Sequence, residues 1–176
     1  AAGVPVISLA AGEPDLPTPA HAVEAAMRAL EQGATRYTPV KGIPALRQAI
    51  ADDGLRARGY RHDPETQIVV TVGAKQALFN LFQVLLEADD EVLLPLPSWV
   101  SYAPQVELAG GRAVAVSAQP ADGFFPTLAS LDAAYSPRCR ALVWTSPNNP
   151  TGMVATPKQV ESVARWAAER GILVVS

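Results

Sequence analysis

Five short segments put glycines, amides and one cation where chemistry is feasible. In VTVGAKQALFN, residues 70–80, an apolar β-branched run enters Gly73 and a helical pattern opens at once. Free backbone N–H groups at such a junction, with the positive end of the helix dipole, suit a phosphate. Gly73 lets the chain turn sharply and lets an anion approach the backbone, and Lys75 adds positive charge. Neither the dinucleotide glycine fingerprint nor the Walker A loop is present. SPNNPTG, residues 146–152, holds Asn148 and Asn149 between prolines, a rigid turn whose amides can reach a ligand oxygen. LPSWVSY, residues 96–102, offers the flat face of Trp99 for stacking on an aromatic ligand. AAGEPD, residues 10–15, has a Gly12 amide able to bind a carboxylate, and RYTPVKGIPALR, residues 36–47, carries Arg36 and Tyr37 in a loop. Singly, each segment also reads as an ordinary turn, a core aromatic or a connector.

The elements that position these segments follow from periodicity and punctuation. Residues 19–32 read as a helix, with Thr18 as N-cap, Pro19 at the first position, Gly33 at the end, and Val23, Ala26, Met27 and Leu30 on one face. A second helix starts near Pro44, carries Leu46 and Ile50, is weakened by Gly54 and ends at Gly59. From residue 67 the pattern changes. IVVTV, EVLLP, AVAV (113–116), ALVWT (141–145) and ILVVS read as strands. Helices are expected at 74–87, with Leu78, Leu81, Phe82 and Leu85 as apolar positions, from Ser98 to about Leu108, at 127–135, and from a Thr156–Pro157–Gln159 capping box to Gly171. Strand and helix alternate about four times, which predicts an α/β fold: three layers, α/β/α, around a mostly parallel sheet. The expected organisation is an N-terminal arm with early helices over 1–66 and a sheet domain from 67 to 176.

Bulk properties exclude several function classes. Apolar residues make up 49 % of 176 residues and charged residues 18 %, so a core is available and disorder is not expected. The net charge is −3 and the only lysines are Lys41, Lys75 and Lys158, so no nucleic-acid footprint exists. Cys139 is the lone cysteine, which excludes an internal disulfide and suits a reducing compartment such as the cytoplasm. With only His21 and His62 beside it, no metal site is expected. No apolar run reaches membrane-span length, and the first residues lack the marks of a signal peptide. The start resembles the middle of a domain and ILVVS a core strand, so truncation at both ends is an expectation.

In order, AGEPD, RYTPVKGIPALR, VTVGAKQALFNL, PSWVSY and SPNNPTG resemble the fold-type I pyridoxal-phosphate (PLP) aminotransferases of class I/II, in particular the bacterial aspartate aminotransferase branch. The resemblance spans essentially the whole chain and corresponds to the front of such a protein. It implies that Gly73, Ala74 and Lys75 cradle the cofactor phosphate and that Trp99 lies against its ring. It implies that Asn149, rather than Asn148, hydrogen-bonds the ring hydroxyl oxygen and helps hold the substrate carboxylate. It further implies that the Gly12 amide binds that carboxylate, that Tyr37 reaches the phosphate across a homodimer, and that Lys75 and Trp99 also line the substrate site.

The same resemblance implies transamination between an amino acid, with aspartate or glutamate favoured by Lys75, and a 2-oxo acid. The family's Schiff-base lysine, its ring-nitrogen aspartate and its carboxylate-clamping arginine have no counterpart in these residues. No catalytic residue is therefore expected in this chain, which alone should not transaminate. Two alternatives share this front half: a PLP-dependent carbon–sulfur lyase or other aminotransferase, and the effector domain of an aminotransferase-like transcription regulator.

Overall fold

The computed structural model describes Gly12 and residues 14–176. The expected N-terminal arm falls largely outside the described residues, which leave out 1–11 and 13. Two early helices, α1 (Ala20–Glu31) and α2 (Pro44–Arg58), precede the sheet region. There α3 (Gly73–Leu85), β1 (Glu91–Leu96), α4 (Tyr102–Leu108), β2 (Arg112–Ser117), α5 (Leu128–Ala134), β3 (Cys139–Val143), α6 (Pro157–Arg170) and β4 (Leu173–Val175) alternate. A 3-10 turn, Pro120–Asp122, interrupts the path from β2 to α5.

The four strands are all parallel, in the order β2-β1-β3-β4. In register, Val92 faces Ala113 on one side and Ala141 on the other, and Leu142 faces Val174. Alternation along the strands divides the core in two. Val92, Leu94, Ala141 and Val143 pack under Phe82, Leu86, Tyr102 and Val106, from α3 with its C-terminal flank and from α4. Leu93, Val116 and Leu142 pack on the other face under Leu131, Val163, Trp166 and Ala167, from α5 and α6. This is the expected three-layer α/β/α arrangement.

Direction reverses at β2. The chain steps from β1 outward to β2, then crosses back over β1 to β3. Helices that keep right-handed crossovers must change face at such a reversal. They do: α4 sits on one face, and α5 and α6 on the other. The loops leaving β1 and β3 therefore diverge, and a crevice opens between them at the C-terminal edge of the sheet.

Several local expectations hold. Thr156 Oγ1 accepts from Gln159 N at 3.3 Å and Gln159 Oε1 accepts from Thr156 N at 2.8 Å, so the capping box is complete. Helices α2 and α6 end at Gly59 and Gly171, both left-handed.

Others are corrected. IVVTV is not a strand: residues 68–71 carry no ladder, and the Val70 N–H bonds instead to the Lys41 carbonyl at 3.1 Å. No strand lies beside them among the described residues, and β-branched composition alone cannot supply a partner. Gly42, with φ +97°, lies so close to this segment that a Cβ there would stand 2.6 Å from Val70 Cγ2. Pro19, not Thr18, is the N-cap of α1; its carbonyl accepts the first bonds, from Ala22 and Val23. Ser98 does not open α4, which starts at Tyr102 after a turn closed by Tyr102 N–H on the Trp99 carbonyl.

Helix faces also differ from the expected ones. Val23, Met27 and Leu30 of α1 are exposed. In α2 the buried side is Arg47, Ala51 and Gly54, while Leu46 and Ile50 are exposed. Arg47 can be buried because each of its three guanidinium nitrogens has an acceptor. It donates to the Gly42 carbonyl at 3.2 Å, to the Pro64 carbonyl, and to Glu65 Oε1 at 3.2 Å, tying α2 to the 60–67 connector.

At the opposite, N-terminal edge of the sheet, Glu91 is buried and accepts from Arg112, from Ser136 Oγ at 2.7 Å and from Cys139 Sγ at 3.8 Å. Burial works to raise the Glu91 carboxyl, but the hydrogen bonds from Ser136 and Arg112 outweigh it and hold the group below the ordinary carboxylate range. Burial, with the Glu91 charge adding to it, pushes the Cys139 thiol up. A depressed carboxyl binds fewer protons in the folded chain than in the unfolded one. Its stabilisation is complete above the unfolded glutamate value of about 4.3 and is lost as pH falls through the lower folded value. Denaturant midpoints of the full-length protein should therefore fall as pH drops below about 4, and less steeply in Glu91→Gln. An equally steep fall in the variant would reject this role for Glu91.

Candidate functional site

Two loops and one helix start meet near the C-terminal edge of β1 and β3, beside a cavity lined by Leu94, Ser98, Tyr102, Phe125, Trp144 and Asn148. The first loop, residues 97–101, carries Trp99, which is half-buried. Tyr102, at the head of α4, meets the Trp99 ring edge-on, with centroids 5.4 Å apart at 82°. The second loop, residues 144–152, carries both asparagines. Asn148 Nδ2 donates to the Pro97 carbonyl at 3.2 Å and to Thr151 Oγ1 at 3.0 Å. The Tyr102 hydroxyl and Thr145 Oγ1 lie 3.0 Å apart. The second loop is thus tied twice, to the first loop and to the head of α4.

These bonds separate the two asparagines. Asn148 spends its amide on the neighbouring loop. Asn149 is exposed, and among the described residues its amide has no partner. Of the pair, only Asn149 is available to something outside the chain. The turn that presents it is closed by Asn148 N–H on Met153 O at 2.9 Å and Gly152 N–H on Asn148 O at 2.7 Å.

The start of α3 adjoins the first loop. Gly73 has φ +74°, a conformation that side-chain-bearing residues rarely adopt, and an added Cβ would meet nothing within 4 Å. Gly73, Ala74 and Lys75 are all exposed. Ala74 and Lys75 stand in the first helical turn, where N–H groups have no partner inside a helix. The Gly73 N–H turns back to the Thr71 carbonyl at 2.9 Å, and the Gln76 side chain accepts from Val72 N at 2.6 Å. Lys75 Nζ lies 5.1 Å from the centre of the Trp99 ring, so the phosphate-type junction and the aromatic face adjoin. Such a cation–π contact contributes about 0.5–1 kcal/mol where it is open to solvent.

Two expected site residues lie apart from this cluster. Gly12 is exposed, with nothing within 4 Å of a Cβ placed there. Tyr37 is fully exposed on the loop between α1 and α2. Nothing in the described chain brings either one to the crevice.

Residues that the motif reading passed over also shape the site. Tyr102, Thr145 and Asn148 hold the loops together, and Gln105 braces α3. Gln105 Nε2 donates to the Lys75 carbonyl at 3.1 Å, while its Oε1 is buried and, among the described residues, has no partner. A buried amide oxygen left unpaired costs about 1–3 kcal/mol, at least as much as one such bond returns. Only the i, i+3 spacing of Tyr102 and Gln105 on a seven-residue helix could have flagged it. Among the described residues no group of His, Cys, Asp and Glu could hold a metal ion, and no helix is long and apolar enough to cross a membrane.

A parallel α/β sheet with an exposed helix start, an aromatic residue and an exposed asparagine near its topological switch point has the layout of α/β folds that bind small molecules at that edge. Comparison with known proteins narrows that class. The profile of the family described as aminotransferase class I and II matches residues 4–176, and the chain belongs to this PLP-dependent family. It is 49 % identical over 174 residues to the aspartate/prephenate aminotransferase of Thermus thermophilus, covering 99 % of this chain and 45 % of that protein. The aspartate aminotransferase of Geobacillus stearothermophilus is 45 % identical over 176 residues, with 100 % and 44 % covered.

Among solved structures, the Thermus thermophilus aspartate aminotransferase with maleate superposes with a TM-score of 0.89 at 50 % identity, covering 93 % of this chain and 43 % of that one. The aromatic aminotransferase of Pyrococcus horikoshii gives 0.92 at 43 % identity, with 96 % and 45 % covered. The chain spans somewhat under half the length of the relatives it matches.

Proposed function

We propose that the protein carrying this chain transfers amino groups between an amino acid and a 2-oxo acid with PLP, and that these residues build the phosphate, ring-face and substrate-carboxylate parts of the site. One observation carries the reading: Lys75 at the open start of α3 sits over the ring of Trp99, beside the loop that presents a free Asn149. The donor set fits the cofactor. Exposed N–H groups of Ala74 and Lys75, at the positive end of a 13-residue helix, suit a phosphate dianion. Gly73 leaves the approach clear. Trp99 offers a flat face to a heteroaromatic ring. Bound there, the cofactor supplies an electron sink for the carbon that bears the amino group.

The chain's own residues bind and orient. Asn149 donates to the ring hydroxyl oxygen and to the substrate carboxylate. The Gly12 amide meets the same carboxylate. Tyr37, exposed on its loop, reaches the phosphate of a neighbouring subunit in a homodimer. Lys75 pairs with a distal carboxylate, which favours aspartate or glutamate as amino donor. None of Lys41, Lys75 and Lys158 takes the covalent anchoring role, so the described part alone is inactive. The sheet region from 67 onward is the front of the cofactor-binding domain, with 1–66 as arm and early helices. The lone buried Cys139 suits the cytoplasm.

The test is amino-group transfer by the full-length protein. With PLP, aspartate and 2-oxoglutarate, one glutamate should appear for each oxaloacetate. Release of a thiol and pyruvate from cysteine conjugates, without transfer, would establish the lyase reading instead. Failure to bind PLP would overturn both.

A further inference from the structure

Helix α4 presents two buried residues to the site from one face. Tyr102 and Gln105 are three residues apart and so lie on the same side of the helix. Tyr102 fixes the ring of Trp99 by its edge contact. Gln105, only 7 % exposed, fixes the carbonyl of Lys75. Thus one face of one short helix holds both members of the Lys75–Trp99 contact.

We propose that Gln105 is a positioning residue that sets Lys75 over Trp99 for selection of an acidic substrate side chain. This rests on the reading of Lys75 as partner of a distal carboxylate. Among the described residues the amide oxygen is buried without a partner, so the one bond from its nitrogen adds little net stability, and a methionine would fill the same space. What the amide supplies is a fixed backbone at Lys75. A lysine has a long, flexible stem and its charge acts as a point, so the place from which the stem springs decides where the ammonium sits. Gln105 sets that place through the Lys75 carbonyl at 3.1 Å, and Trp99 sets the far end at 5.1 Å.

The experiment uses the full-length PLP-loaded protein, two probes and three variants. Maleate carries two carboxylates; 3-phenylpropionate carries one and an aromatic tail. Dissociation constants are measured by calorimetry for Gln105→Met, Lys75→Met and the double variant. Gln105→Met should weaken maleate about fivefold, the size of one net hydrogen bond, and leave 3-phenylpropionate and Tm unchanged. Lys75→Met should weaken maleate more, and adding Gln105→Met to it should have no further effect, because the two act through one contact.

If Lys75→Met weakens maleate and Gln105→Met does not, the positioning role is overturned and the reading of Lys75 stands. If Gln105→Met weakens both probes alike, lowers Tm, or keeps its effect in the Lys75→Met background, the residue is merely structural and the proposal fails. If Lys75→Met leaves maleate unaffected, the reading of Lys75 itself falls.

Discussion

Replacing Gly73 by valine should weaken PLP binding to the full-length protein about ten- to a hundredfold, with the fold intact. The prediction starts from φ. Gly73 stands at +74°, and a residue with a Cβ loses about 1–2 kcal/mol in that region, more if it is β-branched. A valine relaxes out of this region in the apoprotein, and bringing it back to seat the phosphate costs about a factor of ten in the binding constant. The remainder comes from cover. The space around the position is empty within 4 Å, so a valine would clash with nothing in the chain. Its methyls would instead stand where an anion must come to reach the first-turn amides of α3. Titration of the full-length apoprotein with PLP, and separately with inorganic phosphate, checks this. Unchanged affinity for both would remove the start of α3 from the site. A loss for PLP with none for phosphate would place the phosphate elsewhere.

Truncating Phe82 to alanine should cost about 3–5 kcal/mol of unfolding free energy in the full-length protein. Phe82 is the one fully buried residue of α3 and inserts among Val92, Leu94, Val106 and Ala141, holding the helix to the sheet. The cost is the lost transfer energy of the ring plus the cavity left between layers that cannot collapse far. Against a typical total of about 5–15 kcal/mol this is a large share. Val84, two residues on, is 88 % exposed, and Val84→Ala should stay within about 0.5 kcal/mol. Denaturant unfolding of both variants provides the comparison. Similar losses for the two would mean that another element covers this outer side of α3.

What the sequence made legible was local. The capping box at Thr156 and Gln159 reads directly because both partners lie within four residues. Strands β1, β2 and β3 read from composition because each has a neighbour on at least one side. IVVTV has the same composition and is no strand, because pairing depends on a partner elsewhere in the chain. Periodicity in α2 pointed to Leu46 and Ile50, yet Arg47 is the buried member. Its guanidinium satisfies three acceptors at once, a condition set by where residues 42, 64 and 65 converge.

The site divides the same way. Gly73, Lys75, Trp99 and Asn149 stand in recognisable strings, whereas Gln105 and Thr145 act through contacts 30 and 43 residues away in sequence. No local pattern encodes such separations.

The double tie across the crevice also constrains motion. Asn148 to Pro97 and Thr145 to Tyr102 join the loop leaving β3 to the loop leaving β1 and to the head of α4, and the strands beneath them are adjacent in the sheet. The loops cannot part without breaking both bonds, so they travel as one rigid jaw. Any closing movement over a ligand must then come from elements hinged elsewhere, such as the loop bearing Tyr37. Slow exchange of the amides in the 148–153 turn, against fast exchange around Tyr37, would be the dynamic signature of that division of labour.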